Sequence, residues 1–270
     1  MKVFVIGGAG YLGRATIQAL TRRNLEVSAL VRSEKSAATV AELGAEPVRG
    51  TLTDADILTE AAHAADGVIH LGEHAGPDSG DVDRAAAQAL QDGAGSCPYV
   101  HTGGAWVYGD TDGVVDEDAP LNPPRLTVWR LENEKRVLAR AATGDRPVVV
   151  MPGVVYGHAA GLIDIFYVGP GRADGAVPVI GEGTNRWSVV HVDDIADLYT
   201  LALAAPAGSV YAGVIDVYPT EREISEAVSR FIGRPGSLRL RPWKWCRGSH
   251  LMRVFVRRRS EGPDVETATG

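Results

Sequence analysis

An apolar, β-branched run at Lys2–Ile6 breaks abruptly into Gly7-Gly8-Ala9-Gly10-Tyr11-Leu12-Gly13, and residues with helical spacing follow at once. This junction constrains the fold more than any other feature of the chain. Gly7 lets the backbone turn sharply out of a strand. Gly10 lets backbone N–H groups approach a pyrophosphate with no Cβ in the way, and Gly13 lets the next helix sit tightly on a sheet. The start of that helix, at Tyr11 and Leu12, adds partial positive charge where phosphates would lie. A glycine pattern alone is weak evidence, but the strand–turn–helix context is what such a phosphate loop requires.

The chain continues as alternating strand and helix. Short runs at Val27–Val31, Gly67–Leu71, Tyr99–Thr102 and Val148–Met151 read as strands. Between them, Gly10–Arg23, Ser36–Leu43, Ala55–Ala65, Asp81–Gln91 and Val128–Ala142 read as helices. In the first helix, Leu12, Ala15, Thr16 and Ala19 share a face that suits packing on a sheet. The pattern predicts an α/β fold: a Rossmann-type doubly wound parallel sheet covered on both faces. Beyond residue 153 it loosens into Gly/Pro-rich sequence at Gly157–Asp174, with a later helix near Asp193–Ala204. The expected division is a dinucleotide-binding domain over residues 1–153, its sheet completed by residues 191–215. Residues 154–190 and 216–270 then form a small, irregular substrate-side region.

The end of the second strand bears on which dinucleotide is bound. An acid there binds both ribose hydroxyls of NAD and repels a 2′-phosphate. This chain has Leu30-Val31-Arg32-Ser33, with Lys35 beyond. Arg32 can pair with that phosphate and Ser33 can donate to it; the plainer alternative is a solvated loop cation. NADP(H) is therefore the expected cofactor, with NAD also admitted.

Composition excludes other classes. With 270 residues, 45% hydrophobic and 23% charged, the chain can bury a substantial core and is no disordered segment. Cys97 and Cys246 are too few for a disulfide scaffold or a cysteine-rich metal site. No apolar run is long enough to span a bilayer, and Met1-Lys2 leads straight into the first strand without a signal peptide. A cytoplasmic protein with no membrane partner is expected. The net charge of −7 argues against nucleic acid as a general partner, but it is unevenly spread. Residues 234–259 hold 9 Lys and Arg and no acid, leaving residues 1–233 with 18 bases against 31 acids, a net −13. The basic stretch interleaves Trp243 and Trp245 with cations, a pattern able to stack on bases or meet an anionic surface. The simpler reading is an element whose arginines pair with the acidic body.

Further marks accumulate along the chain: Gly50-Thr51-Leu52-Thr53-Asp54, Asp66-Gly67-Val68-Ile69-His70-Leu71-Gly72 and Thr102-Gly103-Gly104-Ala105-Trp106-Val107-Tyr108-Gly109. Pro152-Gly153-Val154-Val155-Tyr156-Gly157 and His191-Val192-Asp193-Asp194-Ile195-Ala196 complete them. Over residues 1 to about 215 the chain resembles the short-chain dehydrogenase/reductase superfamily, in its extended and atypical branch of NAD(P)-dependent epimerase/dehydratases. The resemblance implies adenine contact near Leu52 and ribose and nicotinamide contact near Leu71, Gly72, Thr102, Pro152, Gly153 and Val155. It also implies a small-molecule substrate over residues 154–190, and it admits a homodimer.

The departures carry as much information. The family's usual chemistry uses a Tyr with a Lys four residues later, the Lys lowering the Tyr pKa for proton exchange. The only lysines here are Lys2, Lys35, Lys135 and Lys244, and no Tyr stands four residues before any of them. Aligning on Glu134, a position where the family often has a helix glutamate, puts Arg130 at the Lys position and Leu126 at the Tyr position. The upstream Ser/Thr falls on Gly103 or Gly104, leaving Thr102 as the nearest hydroxyl. The candidate catalytic residues are thus Thr102, Tyr108 and Arg130, although tyrosines placed like Tyr108 and Tyr156 usually pack or line the site. Arg130 can hold a ribose or a substrate anion, or simply pair with Glu134 one turn away.

His101 and His191 stand at or near strand ends, where open α/β sheets bind ligands; packing or capping is the commoner role of such histidines. Asp193 and Asp194 read as caps of the helix that follows. The spelling His70-Leu71-Gly72-Glu73-His74 matches a zinc-protease motif, but that chemistry needs both rings on one helix face. Here the segment leaves a strand through a glycine, so no metal site is expected from it. The resulting expectation is an NADP(H)-binding oxidoreductase or epimerase/dehydratase-like enzyme acting on a carbonyl or secondary alcohol. A redox-inactive NADP-binding sensor, and a non-redox isomerase or cyclase, stay open as alternatives. Phe166, Tyr167 and Trp187 are the expected pocket walls.

Overall fold

A computed structural model describes residues 1–241. Its first half alternates strictly: β1 (Lys2–Ile6), α1 (Tyr11–Arg22), β2 (Glu26–Val31), α2 (Glu34–Glu42), β3 (Glu46–Arg49), α3 (Ala55–His63), β4 (Gly67–His70), α4 (Ser79–Ala94) and β5 (Pro98–Thr102). There follow α5 (Val128–Ala139), β6 (Arg146–Pro152), β7 (Val154–Tyr156), α6 (Gly169–Asp174), β8 (Val177–Ile180), β9 (Val189–His191), α7 (Val192–Ala202), β10 (Ser209–Gly213), α8 (Glu221–Phe231) and β11 (Leu238–Arg241). Among the described residues no helix is long and apolar enough to cross a membrane.

The central sheet has 7 strands in the order β10-β6-β5-β4-β1-β2-β3, and every pairing in it is parallel. Alternation along β1 explains why both faces are covered. Phe4 and Ile6 join a core with Leu58 of α3, Leu90 of α4 and Leu131 of α5. Val3 and Val5 join the opposite core with Ile17 and Leu20 of α1, Val40 of α2 and Ile195 of α7. Each such side chain, fully buried, contributes roughly 1.5–3 kcal/mol of apolar transfer free energy. On the second face α1 lies close against α7 because Ala15 and Ala19 meet Val192 and Ala196. This is the expected doubly wound sheet, with β1 beside β4 at the switch in strand order.

Most elements shift by a few residues from the sequence reading, and two of them are instructive. β3 has no apolar run, being mostly exposed at the sheet edge, so no residue range could be assigned to it beforehand. α4 begins at Ser79 rather than Asp81 and continues to Ala94, because its small residues pack on α3, where Gly93 passes the Thr59 carbonyl too closely for a Cβ.

The region after residue 153 is more ordered than its Gly/Pro content predicts. β7 pairs with β9 and β8 with β11, both in parallel. A third core forms from Val154, Tyr167, Val168, Val177, Trp187, Val189 and Val228. Tyr167 and Trp187 are therefore core residues rather than pocket walls, while Phe166 is exposed. Of the basic stretch, Arg239 and Arg241 lie in β11, and both reach Asp174 at 3.0 Å. Arg234 precedes β11 and donates its backbone N–H to the Ser229 carbonyl at 2.8 Å. The remaining six cations, with Trp243 and Trp245, lie outside the described residues.

Candidate functional site

Because the strands of the central sheet are all parallel, everything that follows a strand emerges at one edge. The turn Gly7–Gly13 follows β1, Arg32 and Ser33 follow β2, Leu52 follows β3, and Leu71 and Gly72 follow β4. Thr102 ends β5, Pro152 ends β6 with Gly153 next, and Val155 lies in β7. Gly7 has φ +82°, and a Cβ there would lie 2.7 Å from the Leu71 carbonyl oxygen. A Cβ on Gly13 would lie 2.1 Å from the Gly7 carbonyl oxygen, so the helix can start only with glycine at this point. At Gly10 a Cβ would meet nothing within 4 Å except the Gly7 carbonyl oxygen, which leaves open space in front of the turn. The turn is thus tight behind and empty ahead, which fits a pyrophosphate on backbone amides.

At the end of β2, Arg32 is exposed. Ser33 has an additional job that the sequence reading did not include: its hydroxyl caps α2, accepting the Ser36 N–H at 3.2 Å. Glu34 pairs with Arg49 at the end of the neighbouring strand.

The centre of the edge holds Thr102. Its hydroxyl donates to the His70 carbonyl oxygen at 2.7 Å and accepts from the Tyr199 hydroxyl at 2.9 Å. Tyr199, from α7, is fully buried, and burial pushes its phenol well above the usual range. Leu126 is half exposed before α5. Arg130, in the first turn of α5, pairs with Glu73 at 2.9 Å and lies 4.5 Å over the Trp129 ring. The alternative of an Arg130–Glu134 ion pair is corrected here: Glu134 turns inward and is only 2% exposed. Its carboxyl is pushed up to about 8, chiefly by burial, with Arg130 and the Gly104 amide pulling the other way. Glu134 also explains the missing upstream hydroxyl. A Cβ on Gly103 would lie 2.5 Å from a Glu134 carboxylate oxygen, so a serine or threonine there would require the Glu134 side chain to move from its inward position. Tyr108 is corrected as a proton donor too. It is 1% exposed, donates to the Glu117 carbonyl oxygen at 3.3 Å, and burial raises its pKa far from neutrality.

Behind Thr102 lies a buried polar cluster. The Tyr99 hydroxyl stands 3.0 Å from Nδ1 of His70 and 3.0 Å from Nδ1 of His101. His101 Nε2 is 3.8 Å from an Asp83 carboxylate oxygen, which also accepts from the Asn133 amide at 2.8 Å. Burial lowers the pKa of both imidazoles, that of His101 to about 4, so both are neutral at physiological pH. His101 is therefore a packed histidine. His70 belongs to this buried cluster, whereas His74 is half exposed and pairs with Asp78 at 3.1 Å. The α7 cap is corrected to His191, whose Nδ1 accepts the Asp193 N–H at 3.3 Å, with Asp193 and Asp194 in the first turn. Tyr199, Glu73 and Asp83 escaped the sequence reading, since nothing in their local pattern separates them from ordinary core or surface residues.

Comparison with known proteins agrees with this geometry. The family model of the NAD dependent epimerase/dehydratase family matches residues 3–217. The chain is 29% identical over 250 residues to uncharacterized protein YLL056C of Saccharomyces cerevisiae, covering 87% of this chain and 82% of that one. It is 33% identical over 171 residues to 4-hydroxy-2-methyl-3-oxo-4-farnesyl-3,4-dihydroquinoline-1-oxide ketoreductase of Stigmatella aurantiaca, covering 58% of this chain and 51% of that one. In fold it is similar to dTDP-glucose 4,6-dehydratase from Bacillus anthracis in complex with NAD, with TM-score 0.82 at 18% identity, covering 96% and 88% of the two chains. A seven-stranded parallel sheet, a glycine turn built for a pyrophosphate and a family match across most of the sequence lead to one conclusion: the chain belongs to the NAD-dependent epimerase/dehydratase family.

Proposed function

We propose that the protein is an NADP(H)-dependent oxidoreductase that acts on a carbonyl or secondary alcohol of a small metabolite. The observation that carries this reading is the Thr102 hydroxyl, placed at the C-terminal edge of β5 between the His70 carbonyl and the Tyr199 hydroxyl. The nicotinamide supplies hydride exchange when bound. Thr102 turns its hydrogen bond from the His70 carbonyl to the reacting oxygen, and Tyr199 keeps donating to Thr102, which strengthens the outer hydrogen bond while the alkoxide formed by hydride addition takes its proton from solvent. Arg130, held by Glu73 and standing where the family carries lysine, binds a ribose hydroxyl or a substrate anion without titrating. Arg32, exposed at the end of β2, favours the 2′-phosphate, and the ketoreductase among the relatives supports a carbonyl substrate.

The test has two stages. NADPH and NADH are titrated by fluorescence against wild type and Arg32→Asp, which should reverse or erase a preference for NADPH. Turnover of a panel of ketones and nucleotide sugars is then followed by reduced-nicotinamide absorbance. Thr102→Ala should retain cofactor affinity and lose about a hundredfold in kcat. Tight NADPH binding with no turnover across the panel would favour the sensor reading, and full activity in Thr102→Ala would remove Thr102 from its role.

A further inference from the structure

We propose that His158, His191 and Asp193 form a binding site for a divalent transition-metal cation of the zinc type, beside the phosphate turn. His158 Nε2 lies 3.2 Å from an Asp193 carboxylate oxygen, and His191 Nδ1 lies 3.6 Å from the same oxygen. One ligand atom from each of the three residues falls within 4.8 Å of the others. A tetrahedral zinc ion, with bonds of about 2.0–2.1 Å, has ligand-to-ligand edges of about 3.4 Å. The two shorter distances bracket that edge. Two imidazoles and one carboxylate suit zinc or cobalt(II) and do not suit magnesium or calcium, which prefer oxygen ligands throughout.

Three features support a built site over a chance ion pair. His158 and Ala159 hold left-handed backbone, φ 50° and 49°, which non-glycine residues adopt only at a cost. That conformation directs the His158 ring edge-on to His191, with ring centroids 5.6 Å apart. The parallel pairing of β7 with β9 sets Tyr156 opposite His191, so the turn after β7 always emerges at the start of α7. A cation at a helix N-terminus opposes the helix dipole, but Asp193 and Asp194 both sit in that first turn and outweigh it. Nδ1 of His191 accepts the Asp193 amide at a long 3.3 Å and stands 3.6 Å from the Asp193 carboxylate, contacts that a metal bond would replace. Side-chain exposures of 54% for His158 and 45% for Asp193 leave a path for entry and room for water as a fourth ligand.

The same turn bears on the phosphate loop. Tyr11, the first residue of α1, donates to the Gly157 carbonyl oxygen at 2.8 Å, and its ring passes within 2.6 Å of a Cβ built on Gly161. A cation holding His158 to Asp193 would therefore stiffen the wall against which Tyr11 rests.

The experiment uses the untagged full chain, stripped with chelator and titrated with cobalt(II). The expected result is one equivalent bound with the intense visible bands of tetrahedral cobalt, displaced by zinc, and a melting temperature raised by zinc. His158→Gly and Asp193→Ala should each weaken binding by more than about tenfold. His63→Ala, on the exposed face of α3, should leave it unchanged. His158→Gly relieves a left-handed position and so should fold without metal, which keeps the test informative if Asp193→Ala does not. Absence of tetrahedral bands in the wild type, or equal affinity in His158→Gly, would overturn the proposal and leave an ordinary ion pair.

Discussion

The protein holds the same trio of side chains twice, two histidines and an aspartate, in opposite surroundings. His70, His101 and Asp83 are sealed between the central sheet and α4 and α5, while His158, His191 and Asp193 stand at the surface beside α1. In the buried trio both Nδ1 atoms are spoken for by one tyrosine hydroxyl and the carboxylate by Asn133. Burial also keeps both imidazoles neutral, and the nearby Arg130 opposes any further positive charge. Such a group is a hydrogen-bond network held fixed by burial, in which only Nε2 of His70 finds no partner among the described residues. In the exposed trio the ligand atoms are weakly engaged and water can reach them, so the same chemistry is available to a cation. Composition is equal in the two trios; access and the fate of each lone pair decide what they do.

The comparison can be broken most forcefully at Tyr99. Tyr99→Phe leaves two buried imidazole nitrogens without their partner and should cost about 2–4 kcal/mol in denaturant unfolding. A loss below about 1 kcal/mol would mean the buried network is slack and differs little from the exposed trio.

The next effect is a dependence on acid. His101 titrates near 4 in the folded chain and near 6.5 when unfolded, so between those values the unfolded chain binds more protons. Stability should therefore fall as pH drops from 6.5 to 4, by up to about 1.4 kcal/mol per pH unit from this group, with His70 acting in the same direction. Glu134 works oppositely. Its folded pKa of about 8 exceeds the usual 4.5, so the folded chain holds the extra proton and stability falls as pH rises from 4.5 to 8. Glu221, pushed up to about 7 chiefly by burial, acts in the same direction as Glu134. The histidine slopes oppose both below 6.5, and above about 7 only that of Glu134 remains. Denaturant unfolding from pH 7 to 8 should thus show a decline in wild type that Glu134→Gln abolishes. A parallel decline in the variant would assign it elsewhere.

The smallest effect belongs to the exposed trio. Without metal, His158→Gly should change stability by less than about 0.5 kcal/mol, because a screened surface ion pair is lost while a left-handed position is relieved. A large loss would show that the exposed trio is as structural as the buried one.

How much of this was legible beforehand follows a clear line. The glycine turn, the strand–helix alternation and the departure at Arg130 were readable because each depends on residues adjacent in sequence. The two faces of β5 were half readable. Tyr99 and His101 alternate with Val100, so they share a side, but that His70 joins them requires the β4–β5 register that sets His70 opposite His101. Glu134 illustrates a correct placement with the wrong partner. Its spacing from Arg130 suggested an ion pair along the helix, whereas the space left by Gly103 drew the carboxyl inward. The order beyond residue 153 was hidden because short strands such as β7 and β9, three residues each, acquire meaning only from each other.

By itself the sequence determined the phosphate turn, since Gly7 takes a positive φ that favours glycine and Gly13 admits no side chain against the Gly7 carbonyl six residues before it, and with it the parallel sheet and the family. Only the tertiary structure decided which hydroxyl meets Thr102 and which histidine cluster is buried. Backbone conformation is encoded locally, in steric terms that neighbours along the chain satisfy. The meeting of Thr102 with Tyr199, 97 residues apart, exists only once strand register and helix packing have brought both to one place.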